Sequence, residues 1–146
     1  MYQVGLDCIL YLDASGVGGS SWAAITDAQD VTVGLQHGKA TVANRASDWL
    51  KTLLTHKELS IEFDLTFDPD DTEFQALRAA FTGKTDIGIA AYNEAIATVG
   101  AEGVQVDCKV VNFTRNEPVG DTVTVSVTLE PSAESSTEPA YTVIAA

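Results

Sequence analysis

Between residues 59 and 83 the hydrophobic period of the sequence changes once, from two to roughly 3.6, and that switch predicts a strand leading into a helix. Ile61, Phe63, Leu65 and Phe67 alternate with Glu62, Asp64, Thr66 and Asp68. Successive side chains on a strand face opposite sides, so this segment has one dry face and one wet, acidic face. Phe74, Leu77 and Phe81 then recur at helical spacing, with Ala76, Ala79 and Ala80 between them, an apolar stripe that has to lie against a core. Asp70 stands where its side chain can take the first free N–H groups of the helix, and Glu73 three residues on completes a capping box. Gly83 fits the left-handed stop. A single helix beside a long amphipathic strand is expected to cover that strand's sheet.

The remaining segments read mostly as strands. Residues 6–12, 22–25, 30–35, 39–44, 86–92, 104–113 and 122–130 carry apolar or alternating patterns. In the last of these Val123, Val125, Val127 and Leu129 point inward and Thr122, Thr124, Ser126, Thr128 and Glu130 outward. The apolar parity of 104–113 switches near Val110 and Val111, which predicts a bulge there. Residues 13–21 read as a mobile, glycine-rich connection, 93–103 as an irregular link and 116–121 as a turn. Residues 131–139, rich in Ser and Glu, read as an exposed linker, and 141–144 as a final small strand or an arm that docks on a neighbour. The fold class expected is mainly β: a β-sandwich or partly open barrel with one flanking α-helix. It forms a single domain over residues 1–130, followed by a linker and arm over 131–146.

Charge narrows the function. Lys and Arg number 8 against 21 Asp and Glu, for a net charge of −13. A surface that grips nucleic acid needs clustered cations for the phosphates, whereas a surface that must avoid gripping it does not. The first Lys or Arg is Lys39, and no apolar run is long enough to span a bilayer. Both predict no targeting segment, no membrane insertion, and assembly in a cytoplasm. Cys8 and Cys108 sit in apolar, strand-like runs and read as small buried hydrophobes; a bridge between them stays open.

Patterns that carry chemistry are missing. Only His37 and His56 are available as bases, and neither lies near a nucleophile turn. The glycines of residues 13–21 are not followed by a P-loop Lys. Residues 68–73 hold acids like a calcium loop, but Glu73 stands where that loop needs glycine and Pro69 is foreign to it. Glu62 and Asp64 lie on one strand face, not across a cleft as a glycosidase pair would. The expectation is no enzyme, no metal and no cofactor.

Residues 45–57 fit neither a clean strand nor a capped helix. Trp49, Leu50, Leu53 and Leu54 stand among Arg45, Lys51, His56 and Lys57, and with Lys39 this region holds half of the chain's Lys and Arg. Two readings are open: a short amphipathic helix packed on its own domain, or an exposed cationic and apolar surface that meets the acidic face of another copy.

The order of the pieces carries a resemblance. Trp22 and Ile25 open toward Asp30-Val31-Thr32-Val33, and an Asn44-Arg45 step opens a long hairpin tip over residues 44–57. The strand 59–67 runs into Asp68-Pro69-Asp70-Asp71-Thr72-Glu73 and its helix. Val110-Val111-Asn112-Phe113 precedes Gly120-Asp121 and the strand that ends at Glu130-Pro131. Over nearly the whole chain this resembles the tail tube (major tail) proteins of long-tailed bacteriophages. The resemblance implies a virion structural protein, assembled in the host cytoplasm into stacked homohexameric rings. Their bore would pass DNA without specific binding, and a tape measure and a terminator would be further partners. It implies inter-ring contact through Arg45, Trp49, Leu50, Lys51, Leu53 and Leu54. A bore wall should be polar and neutral or acidic, which suits Glu62, Asp64, Thr66, Thr122, Thr124, Ser126 and Thr128, with Gln105 and Asp107 as further candidates. Other classes compatible with the chain are a tail terminator or injection-system ring protein and a secreted or surface β-sandwich binding module for a carbohydrate or receptor.

Overall fold

The computed structural model describes residues 2–18 and 21–145. After a 3₁₀ turn at Gly5–Asp7 come β1 (Ile9–Asp13), β2 (Ala23–Ala24), β3 (Ala28–Val42), β4 (Lys51–Thr66), α1 (Thr72–Gly83), β5 (Ile87–Tyr92), β6 (Glu102–Asn116), β7 (Thr124–Pro131) and β8 (Ala140–Val143). The strands are antiparallel in the order β2-β1-β5-β6-β7-β4-β3, with β8 also paired to β6. β2 and β3 stand at opposite ends of that order, yet only residues 25–27 separate them. Four Cα steps span at most about 14 Å, so the sheet has to curl until its two ends nearly meet. The result is the mainly β, partly open barrel with one flanking helix that the sequence predicts.

Alternation places the core inside the curl. Ile61, Phe63 and Leu65 of β4, Val125, Val127 and Leu129 of β7, Val106, Cys108 and Val110 of β6, Ile87 and Ile89 of β5, and Leu10 and Leu12 of β1 form one buried cluster. α1 adds Phe74, Leu77 and Ala80 to it. Phe74 packs edge-on to Phe67 at 5.3 Å and against Phe113 at 5.6 Å, and half-exposed Phe81 stacks on Phe113. The predicted bulge in β6 is present: pairing to β7 shifts register between Val110 and Asn112. That shift turns Phe113 back toward the helix.

Several local expectations are corrected. Residues 39–44 are not a separate strand; β3 continues unbroken to Val42. Asp70 does not cap α1. Asp71 is the N-cap, and its side chain makes no capping hydrogen bond. The left-handed residue at the helix end is Lys84 (φ 55°), with Gly83 as the last helical residue. Cys8 is exposed and only Cys108 is buried; both are free thiols.

The described part of the connection after β1 is pinned. Asp13 accepts hydrogen bonds from the Ser15 and Ser21 N–H groups, and Asp107 accepts one from the Val17 N–H at 2.7 Å. The loop presses so closely on Gly88 that a Cβ there would sit 2.7 Å from the Gly16 carbonyl carbon. The segment after β7 is held too. Ser132 and Ser135 donate to Asp86 and Asp107, and Lys109 bridges Asp86 (3.1 Å) and Glu134 (2.9 Å). This clamp delivers β8 to the edge of β6 that β7 vacates beyond its Pro131–Cys108 pair. Within the described chain, the final segment is a strand on its own sheet.

Leu77 is fully buried where α1 meets the sheet, so Leu77→Ala is expected to cost about 2–5 kcal/mol. Leu54→Ala, at an exposed position, is expected to change stability by less than about 0.5 kcal/mol. Chemical denaturation of the monomer checks both, and equal losses would mean that Leu54 belongs to the core.

Candidate assembly interface

β3 and β4 pair from Ala28 opposite Leu65 out to Val42 opposite Lys51. β4 loses its other neighbour, β7, at the Ile61–Leu129 pair. Beyond that point the two strands leave the body as a free ribbon, a finger about 30 Å long at roughly 3.3 Å per residue. Its tip, residues 43–50, is closed by local turns in which Asn44 Oδ1 accepts from the Ala46 N–H and Ser47 Oγ from the Trp49 N–H. Arg45, Trp49 and Leu50 lie in this tip, and Lys51, Leu53 and Leu54 in β4. The helix reading of 45–57 is therefore excluded.

The finger's pattern is hard to read for a physical reason. Register shifts occur between Gln29 and Thr32, where Asp30 adopts φ 51°, and between His37 and Lys39. At the second shift β4 carries one extra residue opposite Gly38, so alternation restarts out of phase. Leu53 then faces the side of its partner Ala40, and Leu54 the opposite side with Lys39. Trp49, Leu50, Leu53 and Leu54 are 79%, 67%, 59% and 64% exposed. A two-stranded ribbon is marginally stable alone in water. This one bears exposed apolar side chains on both faces.

Charge is divided in the same way. Residues 36–58 hold Lys39, Arg45, Lys51 and Lys57 against Asp48 and Glu58, a net of +2. The other four cations and nineteen carboxylates leave the rest of the chain at −15.

A second surface lies on the outer face of the sheet's middle. Thr124, Ser126 and Thr128 of β7 stand opposite Thr66, Asp64 and Glu62 of β4 on one side. On the other side they stand opposite Asn116, Thr114 and Asn112 of β6. Gln29 and Thr32 of β3 extend the rows. Ser126 Oγ donates to Asp64 Oδ1 at 2.8 Å and Gln29 Nε2 to Thr66 Oγ1 at 3.0 Å. None of these eleven described residues is Lys or Arg. Thr122 lies outside this wall, exposed in the turn before β7. Gln105 and Asp107 are also excluded from it, because the loop after β1 and the segment after β7 cover Asp107 and Gln105 Nε2 donates to Tyr92 Oη. Sequence reading passed over Asn112, Thr114 and Asn116; applying the parity switch at Val111 to the residues after it would have found them.

At the start of α1 the acidic side chains crowd one another. Burial, together with the nearby Asp71 carboxyl, pushes the Asp27 carboxyl above its ordinary range. A hydrogen bond from Asp71, with some desolvation, does the same to Glu73. Burial pushes the Cys108 thiol up to about 12. Among the described residues there is no cluster of His, Cys, Asp and Glu able to hold a metal ion. No helix of the described chain is long and apolar enough to cross a membrane.

The fold has known counterparts. The tail of an empty gene transfer agent particle, solved with C6 symmetry, superposes with a TM-score of 0.74 at 17% identity, covering 97% of this chain and 100% of that one. The SPP1 tail tube gives 0.70 at 14% identity over 88% of this chain and 75% of that one. The sheath-tube complex of an extracellular contractile injection system, PVC, gives 0.65 at 10% identity over 98% and 93%. The sequence matches no family model and no curated protein. At these identities the likeness establishes the tail-tube fold.

The raised carboxyls at the head of α1 generate a pH prediction. A group whose folded pKa is raised adds stability that is fully present below its unfolded pKa and is lost as pH rises through the folded one. Glu73→Gln should therefore raise Tm at neutral pH, with the gain shrinking to nothing below the carboxylate range. Thermal scans from pH 3 to pH 8 check it; a gain that persists at the acid end would contradict it.

Proposed function

We propose that this chain is a tail tube subunit, a non-catalytic virion structural protein that forms stacked hexameric rings around a channel for genome delivery. One observation carries the reading: a tail-tube fold bears a cationic finger, apolar on both faces, on a strongly acidic body. A surface that fits a different surface of a second copy makes a head-to-tail contact, and such contacts build rings or filaments. Burying a Leu or an aromatic side chain gains roughly 1.5–3 kcal/mol, whereas an exposed ion pair gains at most about 1 kcal/mol. Trp49, Leu50, Leu53 and Leu54 would thus supply the strength of ring-to-ring contact. Arg45 and Lys51 would orient it and speed encounter.

Ring formation follows from the sheet. The outer edge of β3 and the short β2 end leave backbone N–H and C=O groups for neighbours to pair. The symmetry of the gene transfer agent tail supports six copies per ring. The polar wall built on Glu62, Asp64, Thr66, Thr124 and Ser126 suits a bore. Its hydroxyls, amides and two carboxylates offer phosphates no cation, and like charge repels DNA over a Debye length of about 8 Å. On this reading the chain sits in the virion tail after assembly in the host cytoplasm, and its partners are its own copies, a tape measure and a terminator.

Electron microscopy of the purified protein at high concentration should show rings or tubes; a monomer at every concentration would favour a surface binding module. Leu53→Asp combined with Leu54→Asp should abolish tube growth and leave the monomer's Tm within a few degrees. Glu62→Lys with Asp64→Lys should keep assembly intact and slow DNA ejection several-fold in a single-particle ejection assay. Unchanged ejection would place that face away from the bore.

A further inference from the structure

Where β4 parts from β7, the sheet opens into a wedge. The last β4–β7 pair is Ile61 with Leu129. Past it β4 follows β3 into the finger, while Glu130 and Pro131 stay with β6, opposite Lys109 and Cys108. The space between is a groove of about 580 Å³ at the root of the finger, lined among others by Leu35, Glu58, Leu59, Glu130 and Pro131. That volume lies within the roughly 300–1,000 Å³ of sites that enclose a sizeable ligand. The groove is mixed in character. Leu35 is exposed within it, Glu58 and Glu130 bring two carboxylates and Lys57 one cation. Among the described residues, neither glutamate makes an ion pair; Lys109, in register with Glu130, is engaged by Asp86 and Glu134.

Among the segments of the described chain that expose apolar side chains are Tyr2, Val4 and Leu6 near the N-terminus, Trp49 and Leu50 at the finger tip, Val111 and Val119 about the β6–β7 turn, and Tyr141 and Val143 in β8. Charge separates them. The N-terminal segment carries Asp7 and no Lys or Arg, and the segment leading into β8 carries Glu134 and Glu138 and no Lys or Arg. Arg115 near the β6–β7 turn is paired with Glu117 at 2.9 Å, whereas the tip presents Arg45, with Lys51 next to it at the start of β4, beside its indole. It cannot reach its own groove. Leu59 lies eight residues along β4 from Lys51, about 26 Å at the rise of a strand.

We propose that the groove at the root of the finger is the receptor for the finger tip of a second copy. Trp49 and Leu50 of one copy seat against Leu35, Leu59 and Pro131 of the next, and Arg45 comes to Glu130. This rests on the tube reading and gives its ring-to-ring contact a specific seat. Each copy carries one tip and one groove at opposite ends of the finger, so the contact repeats without closing, and the tip-to-groove separation in the assembled state sets the axial step of the tube.

The test uses the full chain and reads tubes by electron microscopy and sedimentation. Glu130→Lys should reduce tube mass at least tenfold with Tm unchanged, and adding Arg45→Glu to it should restore at least half. Separately, with Cys8→Ser and Cys108→Ala to remove both native thiols, the second of which stands directly opposite residue 131, Leu50→Cys together with Pro131→Cys should give, under mild oxidation with a copper–phenanthroline oxidant, a ladder of cross-linked trimers, tetramers and larger species in assembled tubes. Tubes from Glu130→Lys as abundant as wild type, or assembled tubes that give no ladder, would overturn the receptor assignment and leave the tube reading standing. Wild-type protein that forms neither rings nor tubes would sink both.

Discussion

The three residues between β2 and β3 constrain everything else in this fold. They tie together strands that occupy opposite ends of the sheet, and a connection that short can be made only if the sheet curls. Curling gives the sheet an inside, which the alternating apolar residues of β4, β5, β6 and β7 and the stripe of α1 fill. It also gives an outside, where the polar partners of those residues line up across neighbouring strands. β3 leaves this connection with its whole length still to run, longer than the body can pair, and carries β4 with it as the finger. Core, wall and finger are thus three consequences of one short link.

The parts of this structure that obey one period over a long run were legible in the sequence. The β4 alternation, the α1 stripe, the β7 alternation and the bulge near Val111 all follow from side-chain geometry within a single element, and each is present. Several of the misses share a different cause: they involve contacts between segments far apart in the chain. Asp70 looked like a cap because capping is local, but Asp71 holds that position, and its carboxyl associates with Glu73 and with Asp27 from another segment. The glycine-rich loop looked mobile, but Asp107, ninety residues on, holds Val17. Gln105 and Asp107 had the right parity for a bare outer face, but the chain returns over Asp107 through Ser135. The finger was half legible. Its composition marked it, while its bulge and its two exposed faces erased the wet–dry alternation by which strands are recognised.

Segregation of charge follows the same division between body and finger. A body at −15 would repel other bodies, and net charge of that size keeps a protein soluble. A finger at +2 supplies the one attractive direction. Such an arrangement favours encounters in which the finger of one copy meets the body of another, and disfavours body-to-body contacts that would form amorphous aggregate. In the proposed tube the apolar side chains then fix what the charges brought together.

In the tube we propose, this geometry also accounts for why a monomer carrying so much unsatisfied surface can fold. The core cluster and α1 form entirely within the body, and none of their buried residues lies beyond Leu59 on the finger. On this reading folding precedes assembly and does not need it. The finger gains its stability later, when a second copy covers its faces, so tube growth orders an element that the isolated chain leaves marginal. Contact that is coupled to ordering is weaker per unit of buried area than contact between rigid surfaces. For a tube that adds subunits one layer at a time, that weakness lets a misplaced copy leave before the next layer locks it in.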